Sequence, residues 1–195
     1  MLTPDQKEKI EQIFSMRAQM QPISLVKTWP QEPAPPSHVF QLQRIGEHYT
    51  LLPTDPNTME TPFLDGAFLF VILSSDPGRI YCGVPHHESR FVIDGHTSLS
   101  YRADVLYAGE LFFRHNVLYK WTNGSGHYRP SASLGQTNLI PYLQHLLPAD
   151  KFVDHWNTNN SEANQRARER GYEVPDSASA KGFGGLTSSD IAAAW

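Results

Sequence analysis

The sequence has a single cysteine, Cys82, among its 195 residues. One cysteine excludes an intramolecular disulfide framework and is typical of proteins that work in a reducing compartment. Cys82 lies in the strand-like stretch Arg-Ile-Tyr-Cys-Gly, where a thiol more often serves as a small buried hydrophobe than as a nucleophile. We therefore expect Cys82 to be buried and structural.

Long hydrophobic runs are also missing. The longest, residues 67–73, is much too short to cross a bilayer, and residues 1–8 contain no apolar segment of the kind found in secretory signals. The sequence therefore predicts a soluble cytoplasmic protein, or one that is delivered into a host or target cell without a cleaved signal peptide. We expect no membrane partner.

Basic charge is scarce as well. The 16 Lys and Arg are outnumbered by 20 Asp and Glu, which gives a formal net charge of -4 with histidine neutral. No basic excess marks a nucleic-acid surface, so we expect no nucleic-acid partner. Hydrophobic residues make up 39% of the chain, less than a dense core usually has, and the deficit lies in a proline-rich linker and the C-terminal end. We predict that the folded part is shorter than the chain.

Four stretches differ in pattern along the chain. Residues 1–29 are predicted to form an N-terminal amphipathic helix and lead-in, and residues 30–37 a stiff proline-rich connector. Residues 38–156 combine strand and helix patterns and are predicted to form a single α+β domain. Residues 157–195 begin as a polar helix and end as a tail rich in Gly, Ser and Ala. We find no internal repeat.

The N-terminal helix is predicted from its start and its spacing. Thr3-Pro4 is a typical N-cap followed by a first helical residue. Apolar side chains then recur on one helical face, at Ile10, Ile13, Phe14 and Met20. We interpret this face as packed on the body of the domain, in preference to an arm that seeks a partner.

Strand patterns fill most of the single domain. The expected strands cover residues 39–43, 49–52, 67–73, 79–83, 90–93, 105–113 and 117–122. His115-Asn116 fits the turn between the last two. After Pro130 the leucine spacing becomes helical, and residues 149–156 predict a second short helix. We expect an α+β fold, with a mostly antiparallel β-meander sheet, an N-terminal helix, and C-terminal helices packed on one side.

Polar residues gather near the ends of these apolar strands. Gly95-His96-Thr97-Ser98 follows one strand directly and supplies an imidazole and two hydroxyls, and Glu110 places a carboxylate inside an otherwise apolar strand. Two glycines flank Ser125 in Gly124-Ser125-Gly126-His127-Tyr128, so its backbone can adopt positive φ or approach a ligand closely. We predict that residues 96–98 and 125–128 meet at one rim and form the site.

In this order, the segments His-Thr-Ser, Ala-Gly-Glu and Asn-x-Ser-Gly-His-Tyr-x-Pro resemble a domain of plant IQ-motif calmodulin-binding proteins. Similar segments occur in bacterial polymorphic-toxin and effector-like proteins. The matching positions are His96, Thr97, Ser98, Ala108, Gly109, Ser125, Gly126, His127, Tyr128 and Pro130. The resemblance covers residues 67–147 and implies an effector- or toxin-like domain. It carries over no catalytic residues, and calmodulin binding is not implied because the chain lacks an Ile-Gln-x-x-x-Arg stretch.

Three interpretations of the site stay open. In the first, the polar side chains satisfy backbone groups at a crowded strand end, because buried polar groups need partners. The domain then works as a binding module, and it takes up a partner protein or a nucleotide-like small molecule at the rim formed by residues 96–98 and 125–128.

In the second interpretation the domain is an enzyme that uses NAD for ADP-ribosyl transfer. Small toxins of that kind are similar in having an Arg or His on one strand, a Ser-Thr-Ser-like strand, and a late Glu. Glu110 would stabilise an oxocarbenium-like ribosyl centre. The expected catalytic residues are His96, Glu110 and His127, and the expected cofactor-binding residues are Arg90, Thr97, Ser98, Ser125 and Tyr128. The sequence distance from Ser98 to Glu110 is shorter than that architecture normally shows.

The third interpretation is a zinc or iron site, because this region is rich in possible ligands. They are His86, His87, Asp94, His96 and His127. No recognised ligand spacing joins them, and adjacent histidines in a strand point to opposite faces, so we assign no metal ligands. A Ser/His/Asp hydrolase is disfavoured, because the segment around Ser125 lacks the Gly-x-Ser-x-Gly nucleophile elbow.

Overall fold

The structure of the chain is a computed structural model that describes residues 3–27, 29–87 and 89–156. The stretch 157–195, for which we predict a polar helix and a tail, lies outside the described residues. The strands are β1 (Phe40–Ile45), β2 (His48–Pro53), β3 (Gly66–Leu73), β4 (Tyr81–Gly83), β5 (Val105–Arg114), β6 (Val117–Thr122) and β7 (Phe152–Val153). The helices are α1 (Pro4–Gln19), α2 (His96–Ser100), α3 (Leu134–Thr137) and α4 (Pro141–Leu146), and short 3-10 helices cover Pro36–His38 and Ala149–Lys151.

One sheet contains the seven strands of the described residues, in the order β2-β1-β4-β3-β5-β6-β7. Every pairing is antiparallel except that of β6 with β7. β3 lies at the centre because its apolar side chains are buried on both sides. We call the side with Phe68, Phe70 and Ile72 the first face, and the side with Leu69 and Val71 the second face. The expected α+β fold with a mostly antiparallel sheet is confirmed.

The first face holds the larger core. The sheet curls so that β2 approaches β6, and the amide of Tyr49 donates to the carbonyl of Asn116 at 2.7 Å. α4 closes this side through Leu143 and Leu146, as expected for C-terminal helices packed on one side. Cys82 is part of the same core and is fully buried, and burial raises the pKa of its thiol. The expected buried, structural cysteine is confirmed.

The second face is covered by shorter segments. Leu99 of α2 and Tyr128 of the loop after β6 pack in one buried cluster with Val71 of β3 and Ala108 of β5. Several side chains on this face are polar, in contrast with the first face. The second face therefore carries both a small core and the polar residues that the sequence singles out.

The proline-rich stretch 30–37 is bonded to the domain along its length. The amide of Ala34 donates to the carbonyl of Ser98 at 3.1 Å. The side-chain oxygen of Gln31 accepts from the amide of Thr97 at 3.1 Å and from its hydroxyl at 2.5 Å. Gln31 therefore supplies the acceptor that the exposed amides at the start of a helix need. The connector acts as a strap that fixes α2.

The strand that we expect at residues 90–93 is reduced to a single bridge. Val92 pairs with Val84 in an isolated parallel bridge, outside the named strands. Phe91 packs edge-on against Phe40, with 5.4 Å between the ring centroids. Side-chain packing on the core, rather than a ladder of backbone hydrogen bonds, fixes this segment, so the strand prediction was wrong.

The helix that we expect at residues 149–156 is also absent. The segment has one 3-10 turn, at Ala149–Lys151, and then forms β7, which pairs with β6 in parallel. The ring of Phe152 packs on Trp121, with 4.5 Å between the centroids. This tertiary contact outweighs local propensity and adds a strand to the edge of the sheet.

α1 begins at Pro4, as predicted. Phe14, which we expect to face the domain, is 71% exposed, so for this side chain the packed interpretation was wrong. The side chains of Ile10 and Ile13 lie outside the described residues. Met20 follows the helix and is buried in the first core. No helix in the described part of the chain is long and apolar enough to cross a membrane.

Candidate functional site

The segment that we expect at a strand end forms the helix α2 instead. His96, Thr97 and Ser98 occupy its first positions, and all five of its residues are buried. The helix ends at Tyr101, which has left-handed backbone dihedrals with φ of 51°. α2 lies on β3, β4 and β5, so its polar side chains enter the protein. The location at the sheet was anticipated, but the helical conformation was not.

His96 is fixed against β5. Its Nε2 lies 2.9 Å from the carbonyl oxygen of Gly109, and because a carbonyl only accepts, Nε2 carries the proton and Nδ1 is an acceptor. Burial lowers the pKa of His96 to about 4, against the opposing effect of the hydrogen bond to Gly109. The imidazole is therefore neutral near pH 7. Gly109 is needed here, since a Cβ would lie 1.9 Å from the carbonyl oxygen of Thr122.

Glu110 points into the protein. It lies two residues after Ala108 on the second face, and it is 7% exposed. Its Oε2 accepts from the hydroxyl of Thr122, the cross-strand partner, at 2.9 Å. Nδ1 of His155 lies 3.8 Å from the same oxygen. We call Glu110, Thr122 and His155 the Glu110 cluster, and His96 lies near it, since it interacts electrostatically with His155.

Gly124 makes room for this cluster. A Cβ at that position would lie 2.7 Å from Oε2 of Glu110 and 2.9 Å from Nδ1 of His155. The amide of Gly124 donates to the hydroxyl of Thr122 at 3.1 Å, so this hydroxyl accepts from the loop while it donates to Glu110. The role of this glycine is therefore the close approach of the backbone to two side chains of the protein itself, whereas close approach to a ligand stays a prediction. Positive φ occurs at Gly46 and Gly66 rather than beside Ser125.

The loop after β6 meets α2 directly. The hydroxyls of Ser100 and Tyr128 lie 2.6 Å apart, and the Tyr128 hydroxyl donates to the carbonyl of Ala103 at 2.7 Å. Because a phenol has one proton, Ser100 is the donor to Tyr128. The hydroxyl of Ser125 accepts from the Tyr128 amide at 3.4 Å. Residues 96–98 and 125–128 therefore lie on the same face of the sheet.

Some of the predicted site residues have structural partners. The hydroxyl of Thr97 is bonded to Gln31, and Tyr128 joins α2 to the loop. Arg90 forms an ion pair with Glu60, and its side chain is 67% exposed, so the structure does not bring it to the Glu110 cluster. These residues hold the surrounding chain in place.

Two buried polar atoms have no hydrogen-bond partner among the described residues. They are Oγ of Ser98 and Nε2 of His127. Unpaired buried polar atoms are rare in folded proteins, because each one gives up its hydrogen bonds to water without compensation. His127 is also close enough to His96 to lower its pKa electrostatically. One of these atoms belongs to α2 and the other to the loop after β6.

His155 is a member of the cluster that sequence reasoning missed. The buried side chain of Asn123 places it: the amide of His155 donates to Oδ1 of Asn123 at 2.7 Å, and Nδ2 of Asn123 donates to Asp154 at 2.8 Å. In the sequence, Asn123 stands out only as the first residue of the segment Asn-x-Ser-Gly-His-Tyr-x-Pro. Its pairing with a segment about thirty positions later has no local signal, since local patterns do not report long-range pairing.

Lys120 is a second residue that the sequence did not single out. It lies on the second face, paired with Phe112, and it is 7% exposed. Its Nζ lies 3.8 Å from the centroid of the Phe112 ring. Burial lowers the pKa of Lys120, and the charge of Glu110 acts in the opposite direction. Lys120 therefore lies close enough to Glu110 for the two side chains to interact electrostatically.

Metal binding gains no support from the part of the chain that the structure describes. Within it, no three His, Cys, Asp or Glu side chains come together as a possible metal site. Comparison of the chain with family models, curated proteins and solved structures finds no match in any of the three. The chain is an α+β protein with a polar cluster buried on one face of its sheet, and the geometry of that cluster is the basis for a functional assignment.

Proposed function

We propose that the protein binds a small polar ligand on the second face of its sheet, and that Glu110 is the chemical centre of the site. The observation that carries this proposal is the placement of Glu110. A carboxylate inside an apolar strand is costly to bury unless its partners compensate for the lost water. Here it is buried beside Thr122 and His155 and shares a face with His96.

The Glu110 cluster contains groups that acid–base chemistry requires. Glu110 and His155 lie 3.8 Å apart, and His155 is 40% exposed, so the imidazole connects the buried carboxylate with solvent. Such contacts are often long without a ligand and shorten when one binds. The neutral His96 presents an acceptor in the same region. Proton transfer to and from a bound ligand through Glu110 and His155 is the chemistry that this arrangement supports.

A second candidate function is ADP-ribosyl transfer from NAD. The orientation of Glu110, into the cluster rather than to solvent, favours it. Glu110 would stabilise the positive ribosyl centre, and His96 and His127 would position the ligand. Because Thr97 is bonded to Gln31 and Arg90 pairs with Glu60, neither matches the role that this chemistry needs. A domain of this kind would be an effector or toxin, in keeping with the proteins that its motifs resemble.

Thermal unfolding in the presence of small molecules tests both candidates. A ligand that binds the folded state alone raises its stability by mass action, by about 2.7 kcal/mol at a hundredfold excess over Kd. We expect stabilisation by at least one member of a panel of nucleosides, nucleotides, sugars, NAD and ADP-ribose. The shift should be lost in Glu110→Gln and kept in Glu11→Gln, a control on the exposed surface of α1.

Two further results would decide between the candidates. Release of nicotinamide from NAD by the wild-type protein, and not by Glu110→Gln, supports ADP-ribosyl transfer. If ligands stabilise the protein but no nicotinamide is released, only the ligand-binding proposal is supported. If no member of the panel changes the melting temperature, and a protein partner protects the second face instead, the small-ligand proposal is wrong.

A further inference from the structure

We infer that residues 154–156 form a latch that covers Glu110 and opens to admit a ligand. This inference rests on the proposed function and adds to it the way in which access to the site is controlled. The starting observation is a contrast in exposure. Glu110 is 7% exposed, whereas the side chain of His155, whose Nδ1 lies 3.8 Å from the Glu110 carboxylate, is 40% exposed. His155 therefore covers the carboxylate on its solvent side.

Each of the three latch residues is hydrogen-bonded to Asn123. The amide of His155 donates to Oδ1 of Asn123 at 2.7 Å, and Nδ2 of Asn123 donates to Oδ1 of Asp154 at 2.8 Å. The indole Nε1 of Trp156 donates to the backbone carbonyl of Asn123 at 3.0 Å. Because the three bonds end on one residue, the latch is fastened at one place and can leave it as a unit.

Asn123 is a fixed anchor for the latch. It directly follows β6, it is fully buried, and its Nδ2 also donates to the carbonyl of Pro130 at 3.0 Å. The next residue, Gly124, is held as well, since its amide donates to the hydroxyl of Thr122 at 3.1 Å. The anchor therefore stays with the sheet, and the latch is the part that moves when the two separate.

The two ends of the latch differ in packing. Just before it, Phe152 and Val153 pair with β6, and the ring of Phe152 lies 4.5 Å from that of Trp121. At its other end Trp156 is 42% exposed, and the guanidinium carbon of Arg129 lies 5.4 Å from the centroid of its ring. The latch therefore swings about the link between Val153 and Asp154, and its opening leaves the pairing of β6 with β7 intact.

Movement of the latch would control both entry and chemistry. Segments with few buried contacts and exposed hydrogen bonds open at a lower free energy than the core, so this opening does not require unfolding. Opening removes the His155 ring from the carboxylate of Glu110 and gives a ligand access to it. Closure then returns His155 to the position that the proposed proton transfer needs, and it excludes water from the bound ligand.

Carbodiimide coupling of glycinamide to the carboxylates of the full chain measures access to Glu110. The rate at each carboxylate is followed by peptide mapping and mass spectrometry, with the exposed Glu11 of α1 as the internal reference. We expect Glu110 to react much more slowly than Glu11 in the wild type. Trp156→Ala should raise the Glu110 rate about tenfold, since it removes a hydrogen bond and a ring from the latch. Trp156→Phe keeps a ring and should give a smaller increase.

A control and a second measurement separate latch opening from general loss of stability. Tyr142→Ala removes another half-exposed aromatic ring, on α4, and should leave the Glu110 rate unchanged. Hydrogen exchange compares two indole N–H groups, that of Trp156 in the latch and that of Trp121, which donates to the carbonyl of Pro148 at 2.7 Å. Low denaturant concentrations should accelerate exchange at Trp121 and have little effect at Trp156.

Three results would overturn the inference. They are equal rates at Glu110 and Glu11 in the wild type, an unchanged Glu110 rate in Trp156→Ala, and the same dependence on denaturant at both indoles. These measurements use no ligand, so they are distinct from the thermal unfolding test. If the latch opens as inferred but no ligand in the panel stabilises the protein, the proposed function is wrong. If ligands bind through Glu110 but Trp156→Ala leaves its access unchanged, the proposed function stands and the latch is wrong.

Discussion

The two faces of the sheet are built from the same strands but differ in chemistry. On the first face, Phe70 of β3 lies against Tyr107 of β5 and Trp121 of β6, with 6.4 Å between its ring centroid and each of theirs. On the second face, the next cross-strand pair of β5 and β6 consists of Glu110 and Thr122, which are both polar. Aromatic side chains on the first face stabilise the fold, and this role alone accounts for their presence there. The buried carboxylate of the second face contributes no comparable packing energy. For this reason we propose that the functional site lies on the second face.

The largest effect on stability is expected on the first face. Phe70→Ala removes a fully buried ring from the centre of the aromatic cluster. We expect a loss of about 3–5 kcal/mol in the free energy of unfolding, measured by urea denaturation. The matched change on the other face, Val71→Ala, removes fewer buried atoms and should cost less. If Val71→Ala destabilises the protein more than Phe70→Ala, the first face does not contribute more to stability than the second, and our comparison of the two cores is wrong.

The pH dependence of stability should come from the second face. The pKa of His96 falls from 6.5 to about 4 on folding, so the neutral form is favoured in the folded state. Above pH 6.5 His96 is neutral in both states, and its contribution to the free energy of unfolding is at its maximum. As the pH falls toward 4, only the unfolded state takes up the proton, so the free energy of unfolding decreases by about 1.4 kcal/mol per pH unit. His96→Gln keeps a donor for Gly109 and cannot titrate. It should show a weaker loss of stability over this range, and an identical pH profile would contradict the assignment.

Adding one methyl group to β5 tests how closely β5 and β6 approach each other. Gly109→Ala places a Cβ 1.9 Å from a backbone oxygen of Thr122, which cannot move as a side chain would. We expect a loss of about 1–3 kcal/mol and a displaced Glu110 cluster. Gly126→Ala is the control, because nothing lies within 4 Å of its added Cβ, and its unfolding free energy should change by less than about 0.5 kcal/mol. Equal effects in the two variants would show that the strands do not approach as described.

Among the substitutions within the sheet, the smallest change in stability is expected at Glu110. Glu110→Gln keeps the size of the side chain and its acceptor for Thr122 while removing the carboxylate. Gln is isosteric with Glu and avoids the cost of burying a carboxylate, so the free energy of unfolding should change by only about 1 kcal/mol, the size of one hydrogen bond. Ligand-dependent stabilisation should be lost at the same time. A variant that unfolds several kcal/mol more easily would mean that Glu110 is part of the structural core.

The strands that the sequence predicts best are those with local signals. The continuous apolar run of β3 and the mostly apolar segments of β5 and β6 place these strands correctly. The turn between β5 and β6 has positive φ at both His115, 48°, and Asn116, 65°, which matches the hairpin turn that we expect there. These features depend on neighbouring residues, so they are visible without the tertiary structure.

Elements that depend on distant contacts were not predictable. α2 has five residues, too few for a periodic pattern, and Gln31 from the strap supplies its N-terminal acceptor. β7 depends on the contact of Phe152 with Trp121. His96 and Glu110 stood out as polar residues beside apolar strands, whereas the position of His155 depends on long-range hydrogen bonds to Asn123.

The most direct test of the central claim is the location of a bound ligand on the sheet. Backbone amide chemical shifts would be recorded by NMR while the protein is titrated with whichever of NAD, ADP-ribose or adenosine monophosphate stabilises it. The account predicts the largest changes at Gly109, Gly124 and His127, on the second face, and small changes in the core around Phe70. Changes confined to the first face, to α1, or to the groove lined by Phe63 and Leu64 beside β2 would contradict it.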